Sequence, residues 1–131
     1  MFPFLQKGGL IWTGDSHCLQ GGGEVNLTAL ECSYKSIEIQ PIVRKDLHIE
    51  WPRAETATHW VFTGFDEDLN EAMKIAARET VNFLAEQKMV PMSREEAYSL
   101  TSIIGACRVS QVVDIRKGIH CMISKSIFTK K

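Results

Sequence analysis

Within the eleven residues Gly14-Asp15-Ser16-His17-Cys18-Leu19-Gln20-Gly21-Gly22-Gly23-Glu24 the chain gathers two carboxylates, an imidazole, an amide and a thiol among four glycines. Carboxylates and imidazoles are the groups that move protons near neutral pH and that ligate divalent cations. Asp15 and His17 are two apart, so an extended backbone turns both side chains to one side, where they reach a common cation. The glycines let the backbone take positive φ between these groups. The structural reading of the same residues is an Asx-turn carrying a surface histidine.

Glu31 extends the set. Alternation along 24–33 puts its carboxylate in line with Val25, Leu27 and Ala29. A carboxylate beside an apolar face has a raised pKa, which suits a general acid or base in amide cleavage. Two structural readings stand beside this one: a strand that ends at Leu30, and an ion pair with Arg53 or Arg108. Cys18 adjoins His17, but adjacent residues of an extended chain point to opposite sides, so His17 does not activate it as a nucleophile, and a buried thiol is expected. His48, His59 and His120 each stand alone and are expected to be hydrogen-bonded structural residues.

The elements that would position these groups follow from the pattern of apolar residues. Residues 10–13, 24–33 and 35–43 have strand chemistry, with Ile37 and Ile39 on one face of the third and Glu38 and Gln40 on the other. Together they predict a hairpin-rich sheet in the first half. Pro52 and the polar run 53–58 predict a loop, and 59–62 a further short strand. Leu69, Ala72, Met73, Ala76, Phe83 and Leu84 recur at three- and four-residue spacings, which predicts a helix over 66–87 with Asp66, Glu67 and Asp68 in its first turn. Ser93 and Glu96 form a capping-box signature for a second helix, with Ala97, Leu100, Thr101 and Ile104 on its buried side. Residues 108–113 and 118–123 are short β-prone segments. A strand-rich half followed by a helix-rich half predicts an α+β fold, an antiparallel or mixed sheet with two main helices and short C-terminal strands, in one domain spanning 1–131.

Bulk properties narrow the partners. The 131 residues are 44% hydrophobic and 24% charged, enough for a real core, and 15 basic against 16 acidic side chains leave no basic field for phosphate backbones or anionic lipid. Neither nucleic acid nor membrane is an expected partner. No apolar run approaches the roughly 20 residues of a membrane span. Residues 1–6 lack the basic start and apolar run of a secretory signal, so a cytoplasmic location is expected. Cys18, Cys32, Cys107 and Cys121 are widely spaced without a CxxC pair, which predicts reduced thiols and no four-cysteine zinc site.

Read in order, the chain resembles the acetamidase/formamidase family. The marks are the 14–25 block ending Gly-Gly-Gly-Glu-Val, Thr-Ala-Leu-Glu at 28–31, Trp-Pro-Arg-Ala-Glu-Thr at 51–56 and Gly-Phe-Asp-Glu-Asp-Leu at 64–69. Ser-Arg-Glu-Glu-Ala-Tyr at 93–98, Arg-Val-Ser-Gln-Val-Val-Asp at 108–114 and Ile-Ser-Lys-Ser-Ile-Phe at 123–128 continue the series. The resemblance covers nearly the whole chain and implies the C-terminal portion of a protein more than twice as long, whose N-terminal half contributes further polar site residues, including a histidine. It implies hydrolysis of short linear amides such as formamide and acetamide to ammonia and a carboxylate.

By the same resemblance, Asp15, His17, Gln20 and Glu24 belong to the active-site loop, with Glu31 nearby. Asp15 and His17 are then the expected ligands of a divalent cation, zinc or calcium. Glu24 and Glu31 are the expected activators of water. Gln20, Gly21 and Gly23 are expected to hold the substrate, with backbone N–H groups of 21–23 facing the developing oxyanion. Gly22 departs from the family, which usually carries Asp or Asn there. The implied partners are a small amide and further copies of the chain. A truncated chain acting only as a structural, self-associating module is the competing reading, because half a core leaves apolar surface and sheet edges open.

Overall fold

A computed structural model describes residues 1–3 and 8–128, so the part of the N-terminal reading that falls on 4–6 lies outside the described residues. The compact part begins near residue 51. Four antiparallel strands, β3 (Arg53–Glu55), β4 (His59–Asp66), β6 (Lys117–Ser124) and β5 (Ala106–Gln111), lie side by side in that order. Two helices, α1 (Leu69–Glu86) and α2 (Arg94–Ile104), pack with them, and a 3-10 turn (Lys125–Ile127) follows β6. Before them, β1 (His17–Leu19) and β2 (Leu30–Glu31) form a separate two-stranded ribbon. The fold class is α+β, as expected from the sequence.

Most of the helix stripe read from the sequence turns into the core, but Met73, expected on it, is exposed. Ala72, Ala76, Val81 and Leu84 of α1 are buried, with Phe62 of β4, Ala97 of α2, and Ile119, Cys121 and Ile123 of β6. Small residues set the approach of α1 to the sheet. A Cβ placed on Gly64 would lie 2.6 Å from the Ala76 backbone nitrogen and against the Ala72 carbonyl, so β4 and α1 touch through bare backbone. Trp60 packs at a tilt against Phe83 and edge-to-face against Phe128, at centroid distances of 5.2 and 5.5 Å, and closes one end of this layer. Among the described residues the two buried polar ones are satisfied, since Thr80 and Thr101 each donate to the carbonyl one turn back, Ala76 and Ala97, at 2.8 Å.

Caps explain the helix boundaries. Asp66 still belongs to β4, where its side chain accepts the Asp68 N–H at 2.9 Å, and Asp68 is the N-cap that accepts from the Asn70 N–H at 2.7 Å. The acidic run expected inside the first turn therefore precedes it, leaving Glu71 as the first-turn acid. The Ser93 capping box forms as predicted, with Glu96 accepting the Ser93 N–H at 2.7 Å and Ser93 accepting the Glu96 N–H at 3.1 Å.

The first half departs from expectation. Residues 10–13 and 35–43 form no strand, and of 24–33 only Leu30–Glu31 is extended in a ladder. Asn26 accounts for part of this, because its side-chain oxygen captures the Thr28 N–H at 2.8 Å and closes an Asx-turn where the strand was expected. The other two segments have period-2 chemistry but no neighbour to pair with among the described residues, and alternation without a partner does not make a strand. Conversely, the expected loop at 53–58 begins with β3, whose Arg53–Glu55 pairs with Trp60–Phe62 of β4.

The cysteines also differ from expectation: they are paired, Cys18 with Cys32 and Cys107 with Cys121. Cys107 and Cys121 are direct register partners in β5 and β6, and the other pair follows immediately on the His17 and Glu31 partners of the ribbon. Strand register, invisible in linear spacing, brings each pair together.

Candidate active site

The ribbon is what assembles the site. In its register His17 of β1 faces Glu31 of β2. The Cys32 N–H donates to the Ser16 carbonyl at 3.0 Å, and the Tyr34 hydroxyl donates to the His17 carbonyl at 2.9 Å. Asp15 is not extended but left-handed, φ 51°, and this turn brings its carboxylate to His17. One donor atom each from Asp15, His17 and Glu31 lie within 4.8 Å of one another.

The imidazole is held at both nitrogens. Nε2 lies 3.1 Å from Asp15 Oδ1, and Nδ1 lies 3.4 Å from Gln20 Oε1. Both partners are acceptors, so only the doubly protonated ring satisfies the two contacts together. His17 is accordingly raised above the ordinary histidine value, chiefly by the Gln20 acceptor; desolvation opposes it next, and the hydrogen bond and charge of Asp15 and the charge of Glu31 add to the rise.

This donor set fits a divalent cation. Carboxylate oxygen and imidazole nitrogen both ligate zinc, and donors within 4.8 Å of one another would have to draw together to span the ~3.4 Å edges of a tetrahedron with ~2.0–2.2 Å bonds. A cation entering here takes the place of the His17 proton.

Not every expected residue joins the group. Asp15, His17 and Gln20 come together as the loop reading required. Glu24 lies outside the three-residue donor group, in a turn closed by its own N–H donating to the Gly21 carbonyl at 3.1 Å, with φ 36°. Gly23 has φ 93° and bridges Gln111 at the end of β5, which moors the glycine turn to the compact sheet. Gly21 and Gly22 are exposed. Glu31 is exposed rather than set in an apolar face, because Val25 and Leu27 are themselves exposed, so the apolar surroundings expected for it are missing. It forms no ion pair with Arg53 or Arg108 among the described residues. Cys18, expected as a buried thiol, is exposed and bonded to Cys32.

Two of the three isolated histidines are hydrogen-bonded, while His48 is exposed with no side-chain hydrogen bond among the described residues. His59 Nδ1 lies 2.9 Å from the Thr58 hydroxyl, and His120 Nδ1 lies 2.7 Å from the Ser110 hydroxyl. Sequence reasoning missed Tyr34, the Gly23 to Gln111 bridge and the Cys18–Cys32 link. Only the cysteine pair left a trace in the sequence, since its members directly follow His17 and Glu31.

Comparison with solved structures places this geometry in context. The chain is similar to an acetamidase from Yersinia enterocolitica, with TM-score 0.73 and 26% identity over 89% of this chain and 34% of that one. It is similar to an acetamidase from Bacillus halodurans, with TM-score 0.70 and 26% identity over 86% of this chain and 37% of the other. A predicted acetamidase/formamidase from the thermophile Thermoanaerobacter tengcongensis gives TM-score 0.69 and 26% identity, over 85% and 36%. No family model matches the chain, and no curated protein matches it.

Fold and neighbours together define an amidase-like α+β polypeptide. More particularly, the resemblance to the acetamidase/formamidase family is borne out, and the chain spans 34–37% of the length of these relatives, consistent with their C-terminal portion.

Proposed function

We propose that this chain carries the acid and imidazole part of the active site of an amide hydrolase, acting on short linear amides of the formamide and acetamide kind. The observation that carries the reading is the convergence of Asp15, His17 and Glu31 in a chain whose structural neighbours are acetamidases. Asp15 and His17 hold a divalent cation with Glu31 within reach of it. When bound, such an ion polarises the amide carbonyl and makes water more acidic. Glu31 takes the proton of the attacking water and returns it to the leaving amine, so that ammonia departs neutral. Gln20, Gly21 and Gly23 line the approach of the amide, with backbone N–H groups of the glycine turn facing the oxyanion. Glu24 is the second carboxylate of the loop, held back in its turn beside Gly23.

Ammonia release from formamide and from acetamide, with and without added zinc, tests this directly. The expected outcome is turnover that falls at least about 100-fold in Glu31→Gln and in His17→Ala, the scale of losing a positioned acid or base. Both side chains lie outside the core, so thermal unfolding should stay unchanged. Equal rates in all three proteins would remove both residues from the reaction.

A second reading is favoured by a separate observation. Leu10, Trp12, Val25, Leu27, Ile42 and Val43 stand largely in solvent, on a chain one third the length of its neighbours. On this reading the chain is a silent module that covers its apolar arm by self-association. It predicts oligomers in size-exclusion chromatography and no ammonia above background, beside a full-length acetamidase that is active in the same assay.

A further inference from the structure

We propose that the Cys18–Cys32 disulfide is a redox-sensitive clasp that positions His17 against Glu31, assembling the candidate site in the oxidised chain and dispersing it in the reduced one. The inference rests on the reading of Asp15, His17 and Glu31 as one site. Its starting point is the weakness of everything else that holds them. β1 has three residues and β2 two, and their register is already irregular between His17 and Leu19. A two-stranded ribbon of that length is not stable in water on its own. Among the described residues none before Phe62 is buried, so no core backs the ribbon.

The covalent link sits where it acts on the site. Cys18 directly follows His17, Cys32 directly follows Glu31, and their Cα atoms are 5.8 Å apart. Closing a loop of sequence separation 14 removes most of the arrangements in which the two ligands lie apart, and so raises the effective concentration of one near the other.

The second disulfide is the internal contrast. Cys107–Cys121 joins neighbours in a four-stranded sheet, and Cys121 is fully buried in the cluster of Ala72, Ala76 and Ile119. Its strands stay paired by the ladder on both sides. Cys18 is exposed, so a dissolved reductant reaches the ribbon's disulfide more readily than the other, where Cys121 is fully buried and Cys107 half-buried. Two electrons from a pair of thiols, a dithiol or a phosphine enter the S–S bond and two protons complete the Cys18 and Cys32 thiols. The reductant leaves as its disulfide, or as a phosphine oxide that takes its oxygen from water.

The test compares the oxidised chain with Cys18→Ser/Cys32→Ser, which lacks thiols that would themselves bind zinc. Two measurements are made on each: amide hydrogen exchange at residue 32, whose N–H donates to Ser16, and calorimetric titration with zinc alone. A circular dichroism melt verifies that the helices and the main sheet are intact. Exchange at residue 32 is expected to accelerate, and zinc affinity to fall about tenfold or more, in the serine variant. Unchanged exchange, or faster exchange with unchanged zinc affinity, overturns the clasp. Faster exchange in the variant with no zinc uptake even by the oxidised chain keeps the clasp and sinks the cation reading.

Discussion

Phe62 and Trp12 are both large aromatic residues in segments whose composition predicts a strand, yet Phe62 is 1% exposed and Trp12 85%. The contrast holds for whole regions. From residue 51 onward, every strand finds a partner, β4 and β6 on both sides, and an amphipathic helix lies across them. From 8 to 50 the same kinds of apolar residues are mostly exposed and none is buried, and a ribbon of five strand residues is the whole of the sheet. The difference teaches that strand propensity is realised only where a neighbour completes the hydrogen-bond ladder and a second layer covers the apolar face. In the arm only the short β1–β2 ribbon finds a partner and no second layer covers it among the described residues, and the candidate site sits there.

The comparison is easiest to break at Gly64. A Cβ on this residue has no room between β4 and the backbone of α1. Gly64→Val should cost about 3 kcal/mol, the scale of overpacking a filled interior, seen as a lower midpoint in urea unfolding followed by helix signal. A stability within error of the parent would mean that α1 does not press on the sheet as described.

Ser93→Ala removes one partner of the capping box and should cost about 1 kcal/mol in the same measurement. Pairing this change with Glu96→Ala tests reciprocity, since two residues of one box should lose less together than the sum of the separate losses.

The Glu55 to Lys125 pair, 2.6 Å, ties β3 to the turn after β6, with Lys125 also over the Trp60 ring. Lys125 holds the Glu55 carboxyl below its ordinary value. A carboxylate depressed in the folded state adds stability that is present above its unfolded pKa and is lost as pH falls through the folded one. Glu55→Gln should therefore cost less than about 1 kcal/mol near neutrality, because half of the side chain is in solvent, and nothing at all at a pH below the folded value. A loss that persists in strong acid would point to packing rather than charge.

The smallest effect sharpens the contrast from the other side. Leu27→Ser, in the arm, should leave unfolding unchanged within about 0.5 kcal/mol. A large loss would reveal that the arm is part of the folding unit.

Linear sequence was enough for the features whose causes are local. Ser93 and Glu96 lie three apart and cap α2 through their own side chains. The stripe of Ala72, Ala76 and Leu84 dictates which face of α1 turns inward, because helical period and burial coincide. Asp15, His17 and Gln20 were likewise legible as one cluster, since each is within three residues of the next. Tertiary structure alone decided the rest. Glu31 meets His17, Cys18 meets Cys32 and Gly23 reaches Gln111 because of strand register and turn direction. Those depend on which segments find partners, a property of the whole chain in space rather than of any window along it.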